Sequence, residues 1–294
     1  MTYVRYQKKI IAPILILILV TSYIIPLTNA NNVNNKDVTI NDVEYYAVFL
    51  GLAKYHSYWY DCGYSDIDAV TLYEYFENEP NWKKENMKLL LNEEVTKSNI
   101  MKSIQWLAEV SDENDIVFFY FSGHGTKHQD FSHACISSYY MKKVSDVENL
   151  SSDIELELEF SKVKSKNMVL MFDCCWSARQ TSLMKPNRVH ISAGGKYLSC
   201  VVDWDENLEN GFLTYYVCKG LMGPADIEGN NDGIISAEEL FHYARVKVMI
   251  HSFVFHMKMF KDIREFGRLM HAFPWSQISF MSDKYEGELP LFYL

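Results

Sequence analysis

Two segments of the chain carry almost no polar residue: Asp115-Ile-Val-Phe-Phe-Tyr-Phe-Ser-Gly-His-Gly125 and Asn167-Met-Val-Leu-Met-Phe-Asp-Cys-Cys175. Apolar runs of this length, lacking a polar face, predict strands buried on both sides, as in a parallel sheet covered by helices. Tyr45 to Ala53 reads as a third and earlier strand, with shorter extended stretches at Met87–Leu91, Ala134–Ser138, Arg188–Ser192 and Gln277–Met281. Helical spacing occupies the intervals at Asp66–Glu77, Lys97–Val110, Asp153–Val163, Gly211–Gly220 and Ser236–Ile250, and Thr96 is a candidate N-cap for the second. Strands alternating with helices predict an α/β chain with a doubly wound, mostly parallel sheet between two helical layers.

The first thirty residues follow another pattern. Arg5, Lys8 and Lys9 precede an apolar run from Ile10 to Leu27, and Thr28-Asn29-Ala30 offers the small residues a signal peptidase reads. An export signal is expected. Pro13 and Pro26 would disturb a spanning helix, which favours cleavage after Ala30 over retention as a membrane anchor. Residues 31–43 form a polar, Asn-rich linker, and 44–294 one folded domain outside the cytoplasm, secreted or anchored.

A composition of 48% hydrophobic and 15% aromatic residues excludes a disordered chain. A net charge of -10 disfavours nucleic acid and anionic membrane as partners of the domain. The six cysteines, Cys62, Cys135, Cys174, Cys175, Cys200 and Cys218, include no CxxC pair, so no zinc site is expected. Outside the cytosol some of Cys62, Cys135, Cys200 and Cys218 could be bridged.

The chemistry is concentrated where the two apolar strands end. Open α/β sheets place their sites at the carboxyl edge of the strands, and these strands deliver His124 and Cys175 there. An imidazole able to take a thiol proton generates a thiolate nucleophile. The glycines around His124 allow close backbone approach, and the Gly125 amide is a candidate donor to an oxyanion. Strand alternation turns Cys174 to the opposite face, into the core.

His124 precedes Cys175 by about fifty positions, the order and separation of caspases. Ser122-Gly-His-Gly125 and Asp173-Cys-Cys175 resemble the two catalytic motifs of the caspase-like cysteine peptidases, nearest the metacaspase and prokaryotic branch. The likeness extends over roughly 44–294, through Ser65-Asp-Ile-Asp-Ala69, Leu89-Leu-Leu-Asn-Glu-Glu-Val-Thr-Lys97, Gly211-Phe-Leu-Thr214 and Tyr285-Glu-Gly-Glu-Leu-Pro-Leu291. It implies a caspase-like fold and an endopeptidase acting on peptides or proteins through a thioester, with no cofactor. It also implies an oxyanion hole from the Gly125 and Cys175 amides, and a pocket of Asp68, Ser122 and Asp173 that takes Arg or Lys before the cut. Read as residues alone, Asp68 could instead cap its helix and Asp173 could hold the nucleophile loop.

Trp176-Ser177-Ala178 stands where such relatives carry His-Ser-Gly. Loss of that glycine is expected to disturb the loop, because alanine tolerates positive φ poorly. Two other readings therefore stand beside the peptidase: a catalytically silent relative that binds peptides, and a non-proteolytic thiol acyl hydrolase.

Three further stretches carry expectations. Glu228, Asn230, Asp232 and Glu239 fall at the first, third, fifth and twelfth positions of a calcium-type loop with Gly233 at the sixth. A turn with Ser236 capping the next helix explains the same residues and is favoured. Arg179, Lys185 and Arg188 lie in a connection, Ser177 to Ser192, read as exposed enough for self-cleavage. His251 to His271, basic and Met-rich, reads as an amphipathic element packed on the core, or as a lid.

Overall fold

The computed structural model describes residues 43–56, 61–127, 133–143, 145–195, 208–259 and 277–294. The signal segment, nearly all of the linker, Cys200 and the end of the basic Met-rich stretch lie outside them. In chain order the first half comprises β1 (Tyr45–Gly51), α1 (Ser65–Glu77), β2 (Met87–Leu91), α2 (Lys97–Val110), β3 (Ile116–Ser122), β4 (Gly125–Lys127), β5 (Ala134–Ser137) and β6 (Leu150–Ser152). The second half comprises α3 (Asp153–Phe160), β7 (Asn167–Asp173), β8 (Arg188–Ser192), α4 (Phe212–Leu221), α5 (Pro224–Glu228), β9 (Ile234–Ser236), α6 (Ala237–Met259), β10 (Phe280–Asp283) and β11 (Pro290–Tyr293).

Six strands form the central sheet in the order β10-β8-β7-β3-β1-β2. All neighbours run parallel except β10, which pairs antiparallel with β8. Side-chain alternation along each strand divides the core between two faces. Phe49, Phe118, Tyr120, Val169 and Met171 meet Leu72 and Phe76 of α1, Leu213 of α4 and Leu240 of α6. Val48, Leu50, Phe119, Leu170 and Phe172 meet Ile100, Ile104 and Leu107 of α2 with Leu156 and Phe160 of α3. This is the expected doubly wound arrangement, and every residue of β3 is buried.

Helix starts follow local hydrogen-bond chemistry. Thr96 Oγ1 accepts the Asn99 amide at 3.1 Å. Ser152 and Glu155 satisfy each other's amides, at 3.2 and 2.9 Å, which fixes the start of α3. The ends were harder to read. Helix α6 continues to Met259 rather than stopping near Ile250. Its His251 ring stacks on Phe212 of α4 with centroids 4.6 Å apart, so this part of the basic stretch packs on the domain. The final strand of the sheet starts at Phe280, later than expected, in register with Ser192 of β8. Two small sheets, β4-β5-β6 and β9-β11, were not expected. Among the described residues no helix is long and apolar enough to cross a membrane.

One close approach seats the first helix. A Cβ on Gly51 would lie 2.7 Å from Ala69 Cβ, 2.7 Å from Ser65 O and 2.8 Å from Asp66 Cα, so α1 rests directly on the end of β1. Gly51→Ala should push α1 outward and lower stability by about 1–3 kcal/mol, read as a shift in urea midpoint. An unchanged midpoint would show that the helix is not held by this contact.

Candidate active site

Pairing of β3 with β7 sets Ser122 opposite Asp173. His124 lies two residues beyond the first and Cys175 two beyond the second, so both emerge from adjacent strand ends at one edge. Past His124 the chain leaves the main sheet as β4 and pairs antiparallel with β5, Gly125 opposite Ile136. Ser137 N donates to His124 O at 3.0 Å. The neighbouring Gly125–Ile136 pair is then a non-hydrogen-bonded one, with the Gly125 amide directed away from β5. A Cβ on Gly125 would sit 2.1 Å from Cys175 O and 2.9 Å from Cys174 Sγ. Only glycine lets these two backbones meet.

Tyr55, which sequence reasoning passed over, braces the histidine. The His124 amide donates to Tyr55 Oη at 2.9 Å, Tyr55 Oη and Ser137 Oγ are 2.7 Å apart, and the Tyr55 and His124 rings are centred 5.0 Å apart. Asp61 in turn accepts the Tyr55 amide at 3.2 Å and the Lys54 ammonium at 3.0 Å. No motif announces Tyr55. Its only signal is its position just past the end of β1, on the same sheet edge.

The turn after β7 carries the candidate nucleophile. Cys175 is half-buried, whereas Cys174 is 1% exposed on the helix-α2 face, as alternation required. Burial first, then the neighbouring Cys175, pushes the Cys174 thiol well above its ordinary range. Ser177 is fully buried, and its hydroxyl donates to Cys174 O at 2.9 Å while accepting the Gly194 amide at 2.9 Å. Gly194 O accepts the Ala178 amide at 3.0 Å. A Cβ on Gly194 would lie 2.6 Å from Cys174 O and 2.7 Å from Trp176 N.

The expectation for residue 178 needs correcting. Ala178 belongs to a 3-10 turn, Ser177–Arg179, and positive φ falls on Trp176, at 63°. The loop path is set by Gly194 and Ser177, so alanine at 178 is tolerated. The Trp176 ring has Lys127 Nζ 5.3 Å and Arg179 Cζ 5.4 Å from its centre.

Asp68, Ser122 and Asp173 come together in one cluster, each no more than 2% exposed. Asp68 accepts from Ser122 Oγ at 2.9 Å, Asn210 Nδ2 at 3.0 Å and the Gly211 amide at 2.8 Å. Asp173 Oδ2 accepts from the Thr214 amide at 3.1 Å and the Thr214 hydroxyl at 2.6 Å. A Cβ on Gly211 would stand 3.0 Å from Oδ2 of both aspartates. Those oxygens are therefore within about 6 Å of each other, close enough for like charges in a dry site to oppose ionisation. Both carboxylates also hold the first turn of α4. Asn210, Gly211 and Thr214 as their donors were not foreseen.

Other candidates are placed elsewhere. Glu239 accepts the Asn230 amide at 2.9 Å and the Ser236 amide at 3.1 Å, while Glu228 pairs with Lys247 at 2.8 Å. Asp232 Oδ1 takes the Ile234 amide at 2.9 Å, so Asn230 and Asp232 shape a turn between Glu228, at the end of α5, and Glu239, in the first turn of α6 that Ser236 caps. Among the described residues no group of three or more His, Cys, Asp or Glu is arranged to hold a metal. Cys62, Cys135 and Cys218 are buried, and no disulfide joins any two of them. The Ser177–Ser192 connection is less open than expected: Arg188 is 4% exposed on β8 and pairs with Glu157, leaving Lys185 as its exposed basic residue.

A family model described as the caspase domain matches residues 44–259. Metacaspase-1 of Plasmodium falciparum is 25% identical over 209 residues, covering 62% of this chain and 33% of the relative. Inactive metacaspase-4 of Trypanosoma brucei brucei is 28% identical over 97 residues, 31% of this chain and 27% of the relative. The chain thus spans about a third of the length of such curated relatives. A crystal structure of a Geobacter sulfurreducens protein superposes with a TM-score of 0.53 at 14% identity, covering 69% of this chain and 88% of that one, a likeness of fold.

The carboxylate pair makes a pH prediction. Burial, then the Asp173 charge, raises the Asp68 carboxyl well above 3.8. The folded state holds this proton more tightly than the unfolded chain, so the group's stabilisation is present at low pH and lost as pH rises from about 3.8 through the raised value. Asp68→Asn keeps one acceptor for Gly211 and Asn210 and offers Ser122 a donor. The variant should have the higher urea midpoint at about pH 7, with the difference closing towards about pH 4. A difference independent of pH would remove the like-charge account.

Proposed function

The chain belongs to the caspase-domain family of cysteine peptidases, and from that premise we propose that it is an endopeptidase cutting after Arg or Lys. The observation that carries this reading is the placement of His124 and Cys175 just past adjacent strand ends, one of which carries Asp173 of a buried cluster with two carboxylates. In the proposed mechanism His124 takes the Cys175 thiol proton and the thiolate attacks the scissile carbonyl. The developing oxyanion is received by the Gly125 and Cys175 amides, and His124 protonates the leaving amine. Water, activated by His124, then splits the thioester and restores the thiol. No metal or organic cofactor enters these steps.

A cationic side chain before the cut would enter between Asp68 and Asp173 and relieve their mutual repulsion, whereas an aspartate would add to it. Arg is expected to exceed Lys where its planar fork engages both carboxylates. The charge pattern of the first thirty residues supports export as the setting of this activity. A second reading, a silent peptide-binding relative, is favoured by Trp176 beside the thiol and by the similarity to a relative named inactive.

Cys175→Ala should abolish turnover of a peptide library without changing the denaturation midpoint, and Cys174→Ala should leave turnover measurable. Asp173→Ala should lower efficiency on Arg peptides at least about tenfold, since losing one partner of a desolvated ion pair costs about 2–5 kcal/mol. Alkylation of Cys175 by a small probe should persist in that variant. A library led by Asp or Asn before the cut would overturn the specificity. Probe labelling of Cys175 without cleavage of any peptide would favour the silent reading.

A further inference from the structure

We propose that Tyr55 is a positioning residue for His124, and that its hydroxyl, acting with Ser137, sets how strongly the imidazole draws the Cys175 thiol proton. The inference rests on the peptidase reading and deepens it, from the dyad to what holds the dyad at its working distance. His124 stands between Gly123 and Gly125, neither of which has a side chain to pack. Its place therefore depends on bonds to its own backbone. The two glycines lean on the strand that carries the nucleophile: the Gly123 amide reaches Asp173 O at 3.4 Å, and a Cβ on Gly125 would stand 2.1 Å from Cys175 O. His124 itself is held by other segments. Tyr55 Oη accepts its amide at 2.9 Å, and the Ser137 amide donates to its carbonyl at 3.0 Å.

The two holders come from distant parts of the chain and are joined to each other. Tyr55 follows β1, Ser137 ends β5, and their hydroxyls lie 2.7 Å apart, so the oxygen that accepts the His124 amide also shares a proton with its neighbour. One phenol oxygen thus closes a ring of contacts around both polar backbone groups of His124. The Tyr55 ring adds a second restraint, its centre 5.0 Å from that of the imidazole at an angle of 35°. Burial first, then the neighbouring Cys62, pushes the Tyr55 hydroxyl well above its ordinary range, so it keeps its proton at any pH where the dyad would work. Of the Gly123, His124 and Gly125 amides, the first two are bonded within the fold, and the third is the one the proposed mechanism uses for the oxyanion. Tyr55 therefore acts without touching substrate, through the placement of the loop that carries both base and oxyanion donor. Phenylalanine would keep the ring and lose the tie. A small displacement suffices, since a shift of about 1 Å can cost on the order of a hundredfold in rate.

The test is the rate at which a small alkylating agent modifies Cys175, read by fragment mass spectrometry at about pH 7 and about pH 10. Buried Cys174 beside it reports on the fold, since it is labelled only if the site opens. At about pH 7 the wild type should react at least about tenfold faster than His124→Ala, and Tyr55→Phe should lose most of that advantage. At about pH 10, where thiols ionise unaided, the three should converge. Ser137→Ala keeps the amide donor and removes only the hydroxyl partner, so its loss should be smaller. Where peptides are cut, Tyr55→Phe should lower kcat about tenfold or more and leave KM within about threefold, a division that general loosening of the fold would not give. Wild-type reactivity retained by Tyr55→Phe, with His124→Ala slow, overturns the positioning role and leaves the peptidase reading standing. Equal rates for wild type and His124→Ala at about pH 7 overturn the dyad, and the inference with it. If Tyr55→Phe exposes Cys174 to labelling, Ser137→Ala decides alone, and a rate equal to that of the wild type would overturn the inference.

Discussion

The turn that follows β7 is clamped between two backbones that carry no side chain. Gly125, from the strand extension on one side, touches the Cys175 carbonyl, and Gly194, beyond β8 on the other, touches the Cys174 carbonyl and the Trp176 amide. Any Cβ at either point would sit closer than van der Waals contact allows, and there is no flexible neighbour to give way. Sheet register brings the strand ends together, but this double contact fixes where the thiol stands relative to the imidazole-bearing loop. Ser177 completes the clamp through its hydroxyl, bonded on both sides in a site without solvent.

A second dependence couples the acidic cluster to the fold. The carboxylates of Asp68 and Asp173 accept the Gly211 and Thr214 amides, so they serve as the cap of α4 as well as a candidate cation receptor. The capping role and the proposed recognition role are not rivals here. A helix N-terminus stabilises a buried negative charge, which is the condition for keeping at least one carboxylate ionised where a cationic ligand could meet it.

Much of this was legible in the chain because it depends on periodicity or on a local bond. Met87–Leu91, Lys97–Val110 with its Thr96 cap, and Arg188–Ser192 coincide with their elements, since alternation, helical spacing and capping are properties of neighbouring residues. The placement of His124 beside Cys175 followed from two apolar runs ending alike. What stayed hidden depends on contacts between distant segments. Tyr55, Gly194, Asn210 and Thr214 matter through partners up to 142 residues away, and no local pattern marks them. Strands β4, β6 and β9, of three residues each, are too short for alternation to register. The misreading of Ala178 has the same root, because the positive φ falls on Trp176 and the turn is held by the close approach of Gly194, a residue from beyond β8.

Two buried aspartates with oxygens within about 6 Å of each other make this cluster a place where the protein is built below its own optimum. An amide in place of Asp68 would make a more robust molecule, and under the proposed specificity a cationic side chain would do the same for the duration of its stay. Under that specificity, durability and discrimination pull this cluster in opposite directions. A version of this chain adapted to heat would be expected to reinforce itself elsewhere, in the helices or the small sheets, and to leave this pair under tension.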